Sequence, residues 1–188
     1  TTFYAIYGPK AQGKVNLAYV DASNQPIDTK YQLAGVEYPA EKSGNVDETI
    51  NQADLDTTKA PKFLGYEVTG VKTDPVPAQG DTAKYTEDGK YTIKFTYKKL
   101  ADIIPAKTDD GKDNLDATED VKATYKAVTM KVDGNKGTFQ KGGSDVAGTE
   151  FVYYVNPVEG KSLDDVLTAS GLTAKSKDEN ANKIDTAK

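Results

Sequence analysis

The chain has 188 residues, a formal charge of −5, and is 37% hydrophobic and 28% charged. It contains no His, Cys, Trp or Arg, so all 24 basic residues are Lys. Imidazole bases, thiol nucleophiles, disulfides, Cys/His zinc sites and guanidinium clamps are thereby excluded. The acidic balance argues against nucleic acid, which demands a basic face. No run approaches the ~18 consecutive apolar residues of a membrane span, so no membrane insertion is expected.

In chain order, Val15, Leu17 and Tyr19 alternate with Asn16 and Ala18 and stop at the turn-forming run from Asp21 to Pro26, which reads as a strand and its turn. Further strands are expected over Tyr31–Tyr38 and Tyr66–Lys72. Between them, Val46, Ile50 and Leu55 lie among polar residues, predicting a helix over Val46–Thr58 with Asp47 as N-cap and Pro61 as its stop. Glu87-Asp88-Gly89-Lys90 is a hairpin-type turn. From Tyr91 to Lys98 the alternation is strict: Tyr91, Ile93, Phe95 and Tyr97 face one way, Thr92, Lys94, Thr96 and Lys98 the other. Strand, strand, helix, strand, strand is an α+β arrangement of β-grasp type.

After Leu100 the composition changes. Residues 101–119 carry Asp109, Asp110, Asp113 and Asp116 with little periodicity, and read as an acidic inter-domain linker. Residues 120–188 read as a second, smaller β-grasp-like domain after a first that spans 1–100. Val121 to Val132 is β-rich, and Asp133-Gly134-Asn135-Lys136-Gly137 is a turn. Glu150–Val155 is apolar on both faces and predicts a central strand. Ser162-Leu163-Asp164-Asp165 resembles a capping box, opening a helix over Leu163–Ala169 that points Leu163, Val166 and Leu167 inward and stops at Gly171. From Thr173 to Lys188 the chain is polar and expected to fray, and the last strands of this unit are expected to be short, missing or borrowed from Phe3–Tyr7. The fold class is thus α+β and β-rich, with two β-grasp-type domains in tandem and an elongated form.

The sharper chemical motifs do not hold. Gly160-Lys161-Ser162 lacks the Gly a phosphate loop needs five residues earlier, where Val155 stands, so Ser162 reads as an N-cap. The acidic run Asp109–Asp120 misses calcium-loop spacing, because Ala106 occupies the first ligand position relative to Gly111, and reads as a solvated linker. The 29 acidic residues always offer carboxylate pairs, but no two stand out in a walled cleft, so no catalytic residue is assigned and no enzyme is expected. The 12 Tyr against 5 Phe read as strand packing with wet hydroxyl edges, or else as a platform for sugars or a protein partner.

Residues 15–98 resemble the mucin-binding repeat domains of lactobacillal cell-surface proteins. The resemblance rests on Val15, Tyr19, Val20, Asp21, the Ser23-Asn24 turn and Ile27, then Gly35-Val36-Glu37-Tyr38, Gly65-Tyr66-Glu67-Val68 and the strand Tyr91–Lys98. Asn24 departs from the Gly frequent at that turn, and Asn tolerates the left-handed conformation. Residues 119–188 loosely resemble the companion domain of such repeats. The resemblance implies a monomeric segment of a longer, cell-wall-attached bacterial adhesin that binds host mucin glycoproteins, weakly and multivalently. It also implies immunoglobulins as partners of some repeats, and no cofactor. No family binding residue maps onto a position here, so metal sites are none and ligand-binding residues stay unassigned. Protein binding through a sheet edge or helix face, and a purely structural spacer, are the alternative readings.

Overall fold

The computed structural model describes residues 1–178. Its contacts divide the chain into two compact units, Thr1–Leu100 and Ala101–Lys188. The architecture is mixed α+β and strand-rich.

The first unit is built on one four-stranded sheet. Strand β1 (Gln12–Asp21) pairs antiparallel with β2 (Glu41–Asn45), placing Gln12 opposite Asn45. Strand β3 (Tyr66–Asp74) pairs antiparallel with β4 (Thr92–Lys99), with a bulge between Val68 and Gly70. The two halves join through a parallel pairing of β1 and β4 that sets Leu17 beside Ile93 and Tyr19 beside Phe95, giving the order β2-β1-β4-β3. The expected alternation is seen: Ile93, Phe95 and Tyr97 are buried with Val15, while Thr92, Lys94 and Thr96 lie half-buried on the opposite face. Burial of this stripe is the main stabilising term, at ~25 cal/mol per Å² of apolar surface withdrawn from water.

No helix forms over Val46–Thr58. Two short 3₁₀ turns, Gln52–Asp54 and Thr57–Lys59, stand there, each started by its own side chain: Asn51 Oδ1 accepts from the Ala53 N–H and Asp56 Oδ1 from the Thr58 N–H. Upstream, the N–H groups of Asp47 and Ile50 are taken by the carbonyls of Tyr85 and Ala83, so the backbone serves a cross-chain bridge instead of an i→i−4 ladder. Asp47 itself has φ +70°, in the left-handed region, and caps nothing. The strand expected over Tyr31–Tyr38 is also absent. A 3₁₀ turn (Thr29–Tyr31) and an irregular loop occupy that stretch, and the extra strand is the polar β2. The Glu87–Lys90 turn forms, with Gly89 at φ +66°, but it joins no hairpin. The chain before it bridges β1 antiparallel at Lys14–Thr86, then reverses to run along β1 as β4.

The second unit begins where a linker was expected. Strand β5 (Ile103–Pro105) carries the apolar pair of that stretch and pairs antiparallel with β9 (Glu150–Val155). The following loop is tied back by the Ala106 N–H to the Val152 carbonyl and the Asn114 N–H to the Ala106 carbonyl, so residues 101–119 are part of the unit and not a spacer. A short helix, α1 (Glu119–Thr124), capped by the Thr118 hydroxyl on the Val121 N–H, replaces the start of the expected β stretch, and β6 (Lys126–Lys131) follows. Strand β9 lies centrally in the order β5-β9-β6, as its two-sided apolarity predicts. Tyr153 and Val155 pack with Val166 and with half-buried Ile103, Val128, Met130 and Phe151.

A second sheet runs β10 (Leu172–Ser176), β7 (Gly137–Lys141), β8 (Ser144–Asp145). Helix α2 (Leu163–Ser170) has the full capping box between Ser162 and Asp165 and ends at Gly171 with φ +66°. It buries Val166, but Leu163 is 74% and Leu167 42% exposed, so those two side chains do not point inward as expected. The first residues of the tail expected to fray, from Thr173 to Ser176, belong to β10 (Leu172–Ser176), and those beyond Asp178 lie outside the described residues. Every pairing in this unit is antiparallel among the described residues, so it lacks the central parallel pair that a β-grasp sheet requires. Phe3–Tyr7 is not borrowed by either sheet; its four large side chains are 85–95% exposed.

Candidate functional site

Two places concentrate recognition chemistry. The first is the aromatic cluster of the first unit. Tyr19, Tyr38 and Phe63 meet with ring centroids 4.6–6.1 Å apart, and Phe63 meets Tyr97 at 5.0 Å, edge to face. Their hydroxyls are already engaged. Tyr19 donates to the Pro39 carbonyl at 2.7 Å, Tyr97 to the Pro61 carbonyl at 2.6 Å, and Tyr38 to the Lys62 carbonyl. These bonds strap the two loops that flank the stretch where a helix was expected. Burial pushes the Tyr19 phenol up to about 12 and Tyr97 higher still. The cluster is therefore structural: its polar ends hold backbone and its rings fill the space beneath the loops.

The second place is an open groove of about 480 Å³ in the second unit, formed by the turn before β7, the stretch between β8 and β9, and the end of β10. Glycines make its floor. A Cβ at Gly137 would lie 2.7 Å from the Lys175 carbonyl oxygen, so only glycine lets β7 pass this close to β10. Thr138, Thr149, Ser176, Asp145, Lys175 and Lys177 line it, with the Thr138 hydroxyl donating to the Phe139 carbonyl at 3.3 Å and the Ser176 hydroxyl accepting from the Asp178 N–H at 3.1 Å. Gln140 donates to Asp145 Oδ1 at 2.8 Å and fixes the acid, while Lys177 Nζ donates to the Gly134 carbonyl at 2.5 Å. The groove is thus an open site lined by hydroxyl-bearing residues, one oriented carboxylate and two lysines. Such a set can hydrogen-bond a hydroxylated ligand; it contains no nucleophile–base pair.

Of these groove residues only Gly134 and Gly137 were singled out in the sequence, and as parts of a turn. The available signal was glycine density: Gly134, Gly137, Gly142, Gly143 and Gly148 within fifteen positions mark close backbone approach around short strands. The acidic loop spends its carboxylates locally. Asp109 pairs with Lys141 at 2.8 Å, Asp113 with Lys107, and Asp110 accepts from the Thr108 hydroxyl, which holds the Asp110 carboxyl below its usual value. Among the described residues no group of three or more acids is placed to hold a metal ion. Ser162 is the N-cap of α2, and Lys161 lies 3.7 Å from Asp102. No described helix is long and apolar enough to cross a membrane. Comparison with protein-family models, curated proteins and solved structures finds no match to this chain.

Proposed function

We propose that this chain is a non-catalytic binding module of a bacterial cell-wall-attached adhesin, and that it holds the glycans of host mucus glycoproteins in the groove of its second unit. The observation that carries the reading is the groove itself: hydroxyls, an oriented carboxylate and ammonium groups on a glycine floor, the donor and acceptor set that sugar hydroxyls require. The first unit supports it through its sheet. We read the order β2-β1-β4-β3, with β1 parallel to β4, as a β-grasp-type sheet in which the 3₁₀ turns and strapped loops replace the helix. On that reading the sheet agrees with the fold that the resemblance to mucin-binding repeats implies. An open polar groove without aromatic walls gives weak single-site binding, and repetition in a long chain multiplies avidity by ~10²–10⁴ without new contacts.

The test is retention of the chain on immobilised mucin before and after enzymatic deglycosylation, with Lys175→Ala and Thr149→Val beside the parent. Losing one charge-assisted hydrogen bond costs about 1.5 kcal/mol, so Lys175→Ala is expected to weaken retention about tenfold. Binding that is unchanged by both substitutions, or that survives deglycosylation, overturns the assignment of the groove to glycans.

A further inference from the structure

Two enclosed polar atoms in the second unit make no hydrogen bond. Asp102 and Asn156 continue the β5–β9 register beyond Ile103 and Val155, so they stand opposite each other with their side chains on one face. The Asn156 N–H donates to the Asp102 carbonyl at 2.7 Å. Asn156 is 1% exposed, yet its Nδ2 finds no acceptor, and Asp102 Oδ1, also enclosed, finds no donor. Among the described residues no other buried side-chain nitrogen or oxygen is left this way. Buried polar groups are otherwise paired, because desolvating them without a partner costs free energy.

The loop from Asn156 to Lys161 is bent so that its ends meet. Asn156 Oδ1 accepts from the Val158 N–H at 2.9 Å, Pro157 fixes its own φ, and Gly160 turns the chain at φ +65°. Lys161 Nζ is thereby returned to the end of the strands, 3.7 Å from Asp102 Oδ2. That ion pair uses one carboxylate oxygen and leaves both Oδ1 and the Asn156 amide nitrogen as they were.

The set comprises a primary amine, a carboxylate beside it, and a carboxamide whose oxygen is held by a backbone N–H. These are the parts of an amide exchange. We propose that Lys161 and Asn156 form an intramolecular isopeptide bond, with Asp102 carrying the protons. Asp102 takes one proton from the Lys161 ammonium. The freed lone pair forms the Nζ–Cγ bond, and the carbonyl electrons move onto Oδ1, where the Val158 N–H stabilises the charge. Asp102 gives its proton to Nδ2 and takes a second from Nζ. The carbonyl then re-forms, the Cγ–Nδ2 bond breaks, and the nitrogen leaves as ammonia, which carries off the second proton as ammonium. The exchange is redox-neutral. Asp102 ends as a carboxylate, and the formal charge of the chain moves from −5 to −6 with the loss of one lysine cation.

The same step resolves the unpaired atoms. The orphaned donor is expelled, and the new amide N–H is a donor next to Asp102 Oδ1. The bond closes residues 156–161 into a ring that ties the end of β9 to the start of α2. A second Lys, Asn and Asp meet in the first unit, where Lys94 Nζ donates to Asn24 Oδ1 and to Asp74 Oδ2 at 3.0 Å each. Asn24 is exposed there and the Asp74 side chain is 52% exposed, so water competes for the groups and no bond is expected.

The experiment is the intact mass of the denatured 188-residue chain, beside Lys94→Arg, Asp102→Asn and Lys161→Arg, the last of which keeps a cation next to Asp102. The parent and Lys94→Arg are expected ~17 Da below the masses their sequences give, the weight of one ammonia, and the other two variants at full mass. Asn156 precedes Pro157, which has no N–H, so succinimide closure cannot supply the loss at this position. Proteolysis after Glu159 locates the bond: its two flanking pieces stay joined in the parent and separate in Lys161→Arg. A parent at full mass, a loss that persists in Lys161→Arg or in Asp102→Asn, a loss abolished in Lys94→Arg, or pieces that part in the parent overturns the proposal.

Discussion

Removing a single phenol oxygen tests whether hydroxyl straps stand in for the missing helix of the first unit. In Tyr97→Phe the ring stays, edge to face with Phe63 at 5.0 Å, and only the 2.6 Å bond to the Pro61 carbonyl disappears. Tyr97 is 1% exposed, so the lost bond lies in a low-dielectric setting, while Pro61 is half-buried and its carbonyl recovers some hydration. Between a net ~1 kcal/mol for an ordinary hydrogen bond and ~1–3 kcal/mol for an orphaned buried acceptor, the expected cost is about 1.5 kcal/mol. For a unit of this size that lowers the melting temperature by about 6–12 °C. Thermal unfolding followed by near-ultraviolet circular dichroism reads the shift. Hydrogen exchange should localise it: the Leu64 N–H, bonded to the Tyr31 carbonyl at 2.8 Å, sits on the strapped loop and should lose protection before β4 does. An unchanged melting temperature with unchanged protection at Leu64 would refute the idea that the phenols hold the loops.

A Cβ added at Gly44 would lie 2.5 Å from the buried Tyr85 ring, so Gly44→Ala is expected to cost about 1–3 kcal/mol, while Gly70→Ala, with open space around it, should be near neutral; chemical denaturation of the pair checks both. Ser162→Ala breaks the capping box of α2 and should destabilise the second unit by about 1 kcal/mol, leaving the first unit's transition in place in calorimetry. The Ser162 N–H holds the Asp165 carboxyl below its ordinary value. The cap's contribution is therefore present above the unfolded carboxylate value near 3.8 and is lost as pH falls through the lower folded value, which an acid titration of α2 by circular dichroism should show and Asp165→Asn should abolish. At the other end of the scale, the buried neutral phenols of Tyr19 and Tyr97 stabilise the first unit fully below the ordinary tyrosine value near 10. That stability is lost as pH rises past it toward about 12 and beyond. Tyrosinate absorbance should therefore show one fewer late-titrating group in Tyr97→Phe than in the parent, where burial raises Tyr19, Tyr97 and, in the second unit, Tyr153.

Local chemistry alone determined several elements of this chain. Strict alternation over Tyr91–Lys98 can bury only one face, and β4 buries that face. Two-sided apolarity over Glu150–Val155 requires neighbours on both sides, and β9 has them. Ser162 and Asp165 carry their capping instructions in two side chains and Gly171 in its lack of one, and all three are used as written. What tertiary structure decided lies where local signals were weak or in competition. Ile50 and Leu55 suggested a helical stripe, but Asn51 and Asp56 bond their own backbones and the Tyr85 and Ala83 carbonyls claim the N–H groups upstream. Strand β2 is almost wholly polar, because a sheet edge imposes hydrogen bonding without demanding apolar side chains. Ile103 and Ile104 look isolated in an acidic run until β9, some fifty residues away, offers its edge. The groove follows the same rule: its hydroxyls, carboxylate and ammonium groups come from segments up to forty-three residues apart, Gly134 to Lys177, and only the close passage of β7 and β10 over glycine brings them together. Periodicity is a property of neighbours in sequence. Pairing partners and convergent polar groups are properties of neighbours in space, and these were fixed by which backbone groups remained to be satisfied once the core had formed.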